Sequence, residues 1–147
     1  MSKAFVERVL IIDDSDIDLF IQRRFMEVYQ FSNEIKMYTS PEEALVWLKS
    51  LDEGSLPEII FLDLNMPKID GFEFLTQYQQ SVDKDFQSKI KIVILTSSNS
   101  VKDRDQAFEF ENVIQFCTKP LKQSDIDELK KMGYSESLAL YIKQERS

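Results

Sequence analysis

Residues 59–75 read IIFLDLNMPKIDGFEFL, and this stretch decides the fold. Four apolar residues in a row end at Asp63, a loop with a proline follows at 65–67, and a helical pattern begins at Gly71. A short apolar run bounded by loop residues is typical of a strand buried on both faces of a sheet. The stretch therefore predicts a buried strand, a loop and a helix, with a carboxylate where the strand ends.

The same alternation of apolar runs and amphipathic segments continues on both sides of this stretch. Further strands are predicted at 9–12, 35–37, 90–95 and 113–116. Helices are predicted at 15–30, 40–48, 71–81, roughly 100–110 and after Ser124. Apolar strands joined by helices form a parallel sheet that is covered on both faces, and the crossovers are right-handed. The predicted fold class is α/β, with a doubly wound five-stranded parallel sheet.

Two finer expectations concern the surface of this fold. One side of the first helix carries the apolar residues Ile17, Phe20, Ile21, Phe25 and Val28. This spacing is typical of an amphipathic helix. The segment 82–89 is rich in charged residues and is predicted to be a loop.

Composition limits the chemistry that the chain can perform. The 147 residues fit one domain, and the formal net charge of −8 argues against a nucleic-acid ligand. The absence of histidine excludes histidine-based acid–base catalysis and histidine-containing zinc sites. The single cysteine, Cys117, allows no internal disulfide, and no apolar window approaches the ~20 residues of a membrane span. We therefore expect a cytoplasmic protein that binds neither nucleic acid nor membrane.

Polar side chains follow four of the five predicted strands at the point where each strand ends. They are Asp13 and Asp14 after the first strand, Asp63 after the third, Thr96 at the end of the fourth and Lys119 after the fifth. Ligands of open α/β sheets bind at this edge. The fold alone therefore brings these residues to one site.

Three carboxylates at one site repel one another, and a hard divalent cation relieves that repulsion. Mg2+ (or Mn2+) favours oxygen ligands and uses few protein carboxylates. The predicted direct ligands are Asp14, Asp63 and the backbone carbonyl of Asn65, with Asp13 acting through a water molecule. We expect a magnesium site at this edge of the sheet.

The same residues suit the transfer of a phosphoryl group. During transfer, negative charge is delocalised over the equatorial oxygens of the phosphoryl group. Mg2+, the Lys119 ammonium and the Thr96 hydroxyl can each neutralise part of this charge. A carboxylate can accept the group directly and form an acyl phosphate. Asp63 ends the central strand and is therefore the predicted acceptor.

Each of these residues also has a simpler interpretation when it is taken alone. Asp13 and Asp14 suit the start of a helix, where the helix dipole favours acids. Thr96 could cap the helix that follows it, and Lys119 could be a solvated surface lysine. Their joint presence at four strand ends favours the phosphoryl-transfer site over these separate roles.

Four motifs of the chain resemble the receiver domains of two-component response regulators: VLIIDDS (9–15), IIFLDLNMPKIDGFEFL (59–75), KIVILTSS (91–98) and FCTKPL (116–121). The resemblance covers nearly the whole chain, roughly residues 6–131. It implies the flavodoxin-like receiver fold with strand order 2-1-3-4-5. We expect a receiver domain at 1–131 and a C-terminal helical extension at 132–147, packed on or beside the domain or available for a partner.

The resemblance implies a role for each matching acid. Asp13 and Asp14 look like the metal-binding pair, and Asp63 looks like the phosphoacceptor. Asn65 matches the position that gives a backbone carbonyl to the metal.

The resemblance also implies a switch. Thr96 looks like the hydroxyl that follows the phosphoryl group, and Lys119 looks like the lysine that pairs with that group. Phe116 matches the switch aromatic, whose simpler role is core packing. Pro120 matches a proline whose preceding peptide bond is often cis in this family.

Members of this family take the phosphoryl group from a phosphohistidine on a sensor histidine kinase or a histidine phosphotransfer protein. They also catalyse their own dephosphorylation, and they are not conventional enzymes. We expect a stand-alone response regulator without an output domain after residue 147, so the expected output is altered protein–protein contacts or onward relay of the phosphoryl group. A monomer or a weak homodimer is expected.

Three alternatives remain open at this point. A pseudo-receiver would keep the fold as a constitutive interaction module, although the complete set of site residues argues against it. A cofactor-binding flavodoxin-like protein would need a Ser/Thr/Gly-rich phosphate loop where this chain has Asp13 and Asp14. A haloacid-type phosphatase also uses an aspartyl nucleophile, but its D-x-D motif is matched only superficially, because Asp16 is placed on the helix.

Overall fold

The structure of the protein is a computed structural model that describes residues 4–132. Along these residues the strands are β1 (Val6–Ile12), β2 (Ser32–Tyr38), β3 (Ile59–Leu62), β4 (Lys91–Thr96) and β5 (Val113–Thr118). The helices are α1 (Asp16–Val28), α2 (Pro41–Ser50), α3 (Gly71–Ser81), α4 (Lys84–Gln87), α5 (Val101–Phe108) and α6 (Gln123–Met132). The predicted extension at 132–147 lies outside the described residues apart from Met132.

All five strands form one parallel sheet in the order β2-β1-β3-β4-β5. This confirms the predicted fold class and strand order. All four residues of β3 are buried, and β3 lies at the centre of the sheet. Since parallel strands point the same way, their carboxyl ends lie along one edge.

Helices cover both faces of the sheet. Ile60 and Leu62 of β3 belong to a core cluster that also contains side chains of α2 and α3. The alternate residues Ile59 and Phe61 belong to a second cluster with side chains of α1 and α6. Two cores on opposite faces hold the central strand, and with it Asp63, in a fixed position.

Side-chain caps begin the helices close to the strand ends. Ser15 accepts a hydrogen bond from Asp18 N, Ser40 from Glu43 N, Asp70 from Glu73 N and Ser100 from Asp103 N. Each cap satisfies a backbone donor that the helix itself leaves unpaired. Ser15 and Ser40 thus stand at the start of the helices predicted at 15–30 and 40–48.

Two sequence-based expectations need correction. Most of the apolar side of α1 faces solvent, since Ile17, Phe20 and Val28 are each more than 60% exposed, while Phe25 of the same side is partly buried against the core. The inward side of α1 carries its buried residues Leu19, Gln22 and Met26. The segment 82–89 contains helix α4, since the Asp83 carboxylate accepts hydrogen bonds from the backbone N–H groups of residues 85 and 86 and so starts a helical turn.

A Schellman motif closes α1 and leads to a prediction about stability. Gln30 N donates to Glu27 O and Phe31 N donates to Met26 O, while Gln30 itself adopts a positive φ of 50°. Replacing Gln30 by glycine relieves the left-handed strain and is expected to raise the free energy of unfolding by about 0.5 kcal/mol. Chemical denaturation measures this change in the free energy of unfolding. The matched variant Gln79→Gly, at an exposed position inside helix α3, is expected to lower the free energy of unfolding by about 1 kcal/mol.

Candidate functional site

Two acids at the carboxyl edge are held by the backbone of the sheet. Asp13 follows β1 directly, and its N–H donates to Tyr38 O at 3.1 Å. Asp63 follows β3, and its N–H donates to Ile12 O at 3.0 Å. Both residues are buried, with Asp13 only 1% and Asp63 only 5% exposed. The strand ends therefore fix two carboxylates in a place where an uncompensated charge is unfavourable.

Asp14 completes a cluster of three carboxylates. One carboxylate oxygen from each of Asp13, Asp14 and Asp63 lies within 4.8 Å of the other two. Asp14 is exposed, and no residue within 4–132 donates a hydrogen bond to its side chain. Closely spaced oxygen ligands of this kind fit a hard divalent cation.

Lys119 is the counter-charge of this cluster. Its Nζ lies 2.7 Å from Asp13 Oδ2 and 3.1 Å from Asp63 Oδ2. Its backbone N donates to Thr96 O at 2.8 Å, and the Lys119–Pro120 peptide bond is cis, as the resemblance implied. The loop after β5 therefore directs the ammonium at the acceptor predicted from the sequence.

The charge of Lys119 is secured by its neighbours. Burial by itself lowers the pKa of Lys119, but hydrogen bonds to Asp13 and Asp18 and the charge of Asp63 outweigh burial and raise this pKa above its ordinary value. Lys119 therefore keeps its positive charge throughout the neutral pH range.

Two residues of α1 reach the site, and neither was expected from the sequence. Asp18 Oδ2 lies 2.8 Å from Lys119 Nζ. Gln22 is 4% exposed and its Nε2 donates to Asp13 Oδ2 at 3.0 Å. One feature of the sequence could have identified them. Asp18 and Gln22 are four residues apart, which places both on one face of the helix that begins beside the acid pair.

Thr96 and Asn65 form the opposite side of the site. Thr96 is fully buried at the end of β4, and its Oγ1 accepts hydrogen bonds from Asn65 Nδ2 at 3.3 Å and Ser98 N at 3.4 Å. The Asn65 N–H donates to Asp63 Oδ1 at 3.1 Å. The loop after β3 thus links the Thr96 hydroxyl to the Asp63 carboxylate.

Gly71 allows this loop to fold back tightly. Its N–H donates to Leu64 O at 2.9 Å. A Cβ at position 71 would lie 2.7 Å from Asp63 O and 2.7 Å from Leu64 Cα. Only glycine fits here without a shift of the backbone beside Asp63.

The charges of the site do not balance among the described residues. Four carboxylates, those of Asp13, Asp14, Asp18 and Asp63, are accompanied by the one ammonium of Lys119, which contacts all of them except Asp14. This excess of negative charge favours a cation as ligand, or an anion that brings a cation with it.

Known proteins share the fold of this chain. Residues 9–131 match the family model described as the response regulator receiver domain. The chain belongs to the response regulator receiver family. A solved two-component response regulator from Cytophaga hutchinsonii is 29% identical, with a TM-score of 0.80 over 88% of this chain and 96% of that one.

Two further relatives resemble this receiver domain over most of their length. The probable methanogenesis regulatory protein FilR2 of Methanothrix harundinacea is 30% identical over 137 residues, which cover 88% of this chain and 86% of FilR2. Response regulator Rcp1 of Synechocystis sp. is 27% identical over 121 residues, 80% of each chain. A solved Mn2+-bound form of response regulator Rcp1 is 28% identical, with a TM-score of 0.61 over 84% of this chain and 88% of that one.

Phe116 lies on β5 of this receiver domain. It is the register partner of Ile94, two residues before the pair Thr96 and Thr118. Side chains two residues apart share a face of a sheet, so Phe116 and Thr96 face the same side. Phe116 is partly buried against the core under α2 and α3.

Two further features describe the surface of the receiver domain. The exposed apolar side of α1 begins at Ile17, three residues after Asp14, and continues through Phe20 and Ile21.

None of the helices within residues 4–132 has the length and apolar character that a membrane crossing requires.

Proposed function

We propose that this receiver domain accepts a phosphoryl group on Asp63 from a phosphohistidine and signals through altered protein contacts or by passing the group on. The observation that carries the proposal is the contact of Lys119 Nζ with Asp63 Oδ2 at 3.1 Å inside a cluster of carboxylates. A buried acid beside a charged lysine at the centre of a parallel sheet is a preorganised phosphoryl acceptor.

The donor set also fits Mg2+ or Mn2+, which the Rcp1 relative carries as Mn2+ in its solved form. Asp14 and Asp63 would hold the cation directly, Asp13 through water, and the Asn65 carbonyl would add a neutral oxygen. When bound, the cation neutralises part of the charge on the transferred group. Asp14 fits this role well, because its carboxylate has no other partner within residues 4–132.

The transfer step uses the chain's own residues. A carboxylate oxygen of Asp63 attacks the phosphorus, an O–P bond forms, the N–P bond to the donor imidazole breaks, and the electron pair leaves with the imidazole. Lys119 donates a hydrogen bond to one oxygen of the group, and the Thr96 hydroxyl turns towards another. No general base is needed, because a carboxylate nucleophile has no proton to lose when it attacks.

The same contacts couple phosphorylation to the surface. When the Thr96 hydroxyl turns to donate to the phosphoryl group, its Oγ1 moves away from Asn65 Nδ2 and Ser98 N, from which it accepts hydrogen bonds here. Movement of Thr96 leaves space on the face that Phe116 shares, and Phe116 fills it from its partly buried position. Phosphorylation then shifts the population between two packings of α5, β5 and α6.

The donor reaches Asp63 past α1. Ile17, Phe20 and Ile21 form an exposed apolar surface next to Asp14, at the open side of the site. A sensor histidine kinase or histidine phosphotransfer protein that packs an apolar helix face on this surface would bring its phosphohistidine to Asp63.

We assign residues 1–131 to the receiver domain and residues 132–147 to its C-terminal extension. We also propose that the protein acts in the cytoplasm.

The intact mass of the protein after incubation with acetyl phosphate tests this function. With Mg2+ present, we expect the gain of one phosphoryl group, because the acid cluster must be neutralised before a charged donor can approach. With EDTA the gain is expected to disappear. The absence of an adduct in Mg2+, together with a failure to bind the phosphoryl analogue beryllium fluoride, would instead indicate a constitutive interaction module.

A further inference from the structure

Asp18 contacts the site without belonging to the metal-binding set. Among the described residues, the three carboxylates whose oxygens all lie within 4.8 Å of one another are those of Asp13, Asp14 and Asp63, and Asp18 is not part of this group. Its Oδ2 nevertheless lies 2.8 Å from Lys119 Nζ. Asp18 therefore acts on the site through the lysine.

Lys119 uses all of its donors in this arrangement. An ammonium has three N–H groups, and Nζ lies close to three carboxylate oxygens, those of Asp13, Asp18 and Asp63. Two of these partners, Asp13 and Asp63, are also predicted to hold the cation, directly or through water. A cation and the ammonium thus compete for the same carboxylates and repel each other.

Asp18 is suited to resolve this competition. It lies in the first turn of α1, where its N–H is held by Ser15 Oγ at 3.2 Å, and its side chain is 37% exposed. A partly exposed carboxylate keeps its charge at little cost and can hold the ammonium after Asp13 has released it. The lysine then stays beside Asp63, ready to meet an incoming phosphoryl group.

We propose that Asp18 is a positioning residue that takes over the Lys119 ammonium when a divalent cation binds, so that Lys119 releases Asp13 without leaving the site. This inference rests on the proposed metal site at Asp13, Asp14 and Asp63. It adds a residue of α1 to a site otherwise built from the strand ends and the loops that follow them.

Calorimetric titration of the whole chain with MgCl2 tests the inference without any phosphodonor. Asp18→Asn removes the charge that receives the ammonium, so Lys119 holds Asp13 and Asp63 more tightly. We expect the Mg2+ dissociation constant to rise about tenfold, the size of one lost charge-assisted hydrogen bond. Asp18→Glu keeps the charge and is expected to recover most of the affinity.

Asp16→Asn is the matched control. Asp16 lies in the same first turn and carries the same charge, but it is exposed and is not among the ion-pair partners of Lys119. It is expected to change the dissociation constant by less than about twofold, because exposed charges are screened. A loss in Asp16→Asn equal to that in Asp18→Asn would overturn the inference and leave the metal site intact.

A double-mutant cycle identifies the route of the effect. In a Lys119→Met background, Asp18→Asn is expected to have no more effect than Asp16→Asn, because Asp18 has no ammonium to receive. Lys119→Gln replaces the methionine variant if that one does not fold. An undiminished loss in either background would overturn the inference, since Asp18 would then act on the cation directly. Failure of the unchanged protein to bind Mg2+ would overturn the proposed metal site and the inference with it.

Discussion

Replacing Lys119 by methionine is expected to slow the phosphorylation of Asp63 about a hundredfold, the size of effect seen when one preorganised donor to a developing charge is removed. The ammonium lies 3.1 Å from Asp63 Oδ2 and would donate to the oxygens of the arriving group. Methionine preserves the length of the side chain and removes the charge. The rate is measured by intact mass against time at saturating Mg2+ and acetyl phosphate.

Mg2+ binding distinguishes this loss from damage to the fold. Since Lys119 competes for Asp13 and Asp63, Lys119→Met is expected to bind Mg2+ at least as tightly as the unchanged protein. Lys122→Met makes the same exchange at an exposed lysine whose nearest acid, Asp125, is 3.8 Å away, and it is expected to leave the rate unchanged. A normal rate in Lys119→Met would contradict the role of the lysine in phosphoryl transfer.

Gly71→Ala is expected to lower the free energy of unfolding by about 2 kcal/mol, the usual cost of forcing an extra carbon into a packed site. The new Cβ would meet backbone atoms of Asp63 and Leu64 at 2.7 Å, and backbone cannot rotate away as a side chain can. The shift also moves the acceptor, so phosphorylation slows together with the loss of stability. Chemical denaturation followed by circular dichroism measures the first effect.

Gly54 provides the comparison for this substitution. A Cβ at position 54 would meet only Asp52 Oδ1, at an ordinary contact distance of 3.7 Å. Gly54→Ala is therefore expected to leave stability unchanged or to raise it by about 0.5 kcal/mol, because alanine restricts the unfolded chain. Equal losses in both variants would show that the tight approach beside Asp63 has no special importance.

The sheet could be predicted because its strands are nearly continuous apolar runs. Such runs mark strands that are buried on both faces, and parallel pairing then brings all of their carboxyl ends to one edge. The edge strand β2 was predicted too short, at 35–37, because its first residues, Ser32 to Glu34, are polar and carry no apolar signal. Pairing with β1, which begins at Val6 opposite Ser32, extends the strand.

The orientation of α1 could not be predicted from its apolar residues. Apolar side chains occur on more than one side of this helix, so their spacing does not identify the buried side. Gln22 occupies an inward position because its amide is hydrogen-bonded to Asp13. A buried polar residue of this kind obscures the amphipathic pattern, because it is buried for the sake of a hydrogen-bond partner that lies outside the helix.

Helix α4 was missed for a different reason. It has only four residues, which is too short to show a helical period. Contacts hold it in place, since the Gln87 amide donates to Val82 O at 2.6 Å and to Gln79 O at 3.1 Å. Hydrogen bonds from a side chain to backbone carbonyls, such as these, cannot be recognised in the sequence.

The residues of the site were predicted from their positions at the strand ends, and their mutual contacts were not. The structure brings Asp13, Asp14, Asp63 and Lys119 together, and it connects Thr96 to Asp63 through Asn65. The lysine contact with Asp18 depends on how a long side chain crosses from one loop to another helix, which spacing along the chain does not reveal. The roles of these residues in phosphoryl transfer stay predictions.

The most direct test of the central claim is to locate the phosphoryl group after incubation with acetyl phosphate and Mg2+. Borohydride reduces an acyl phosphate to an alcohol, so a phosphorylated aspartate becomes homoserine, which peptide mass spectrometry identifies. We expect homoserine at position 63 alone, and none when Asp63→Asn is treated in the same way. Homoserine at another acid, or undiminished phosphorylation of Asp63→Asn, would contradict the assignment of Asp63 as the acceptor.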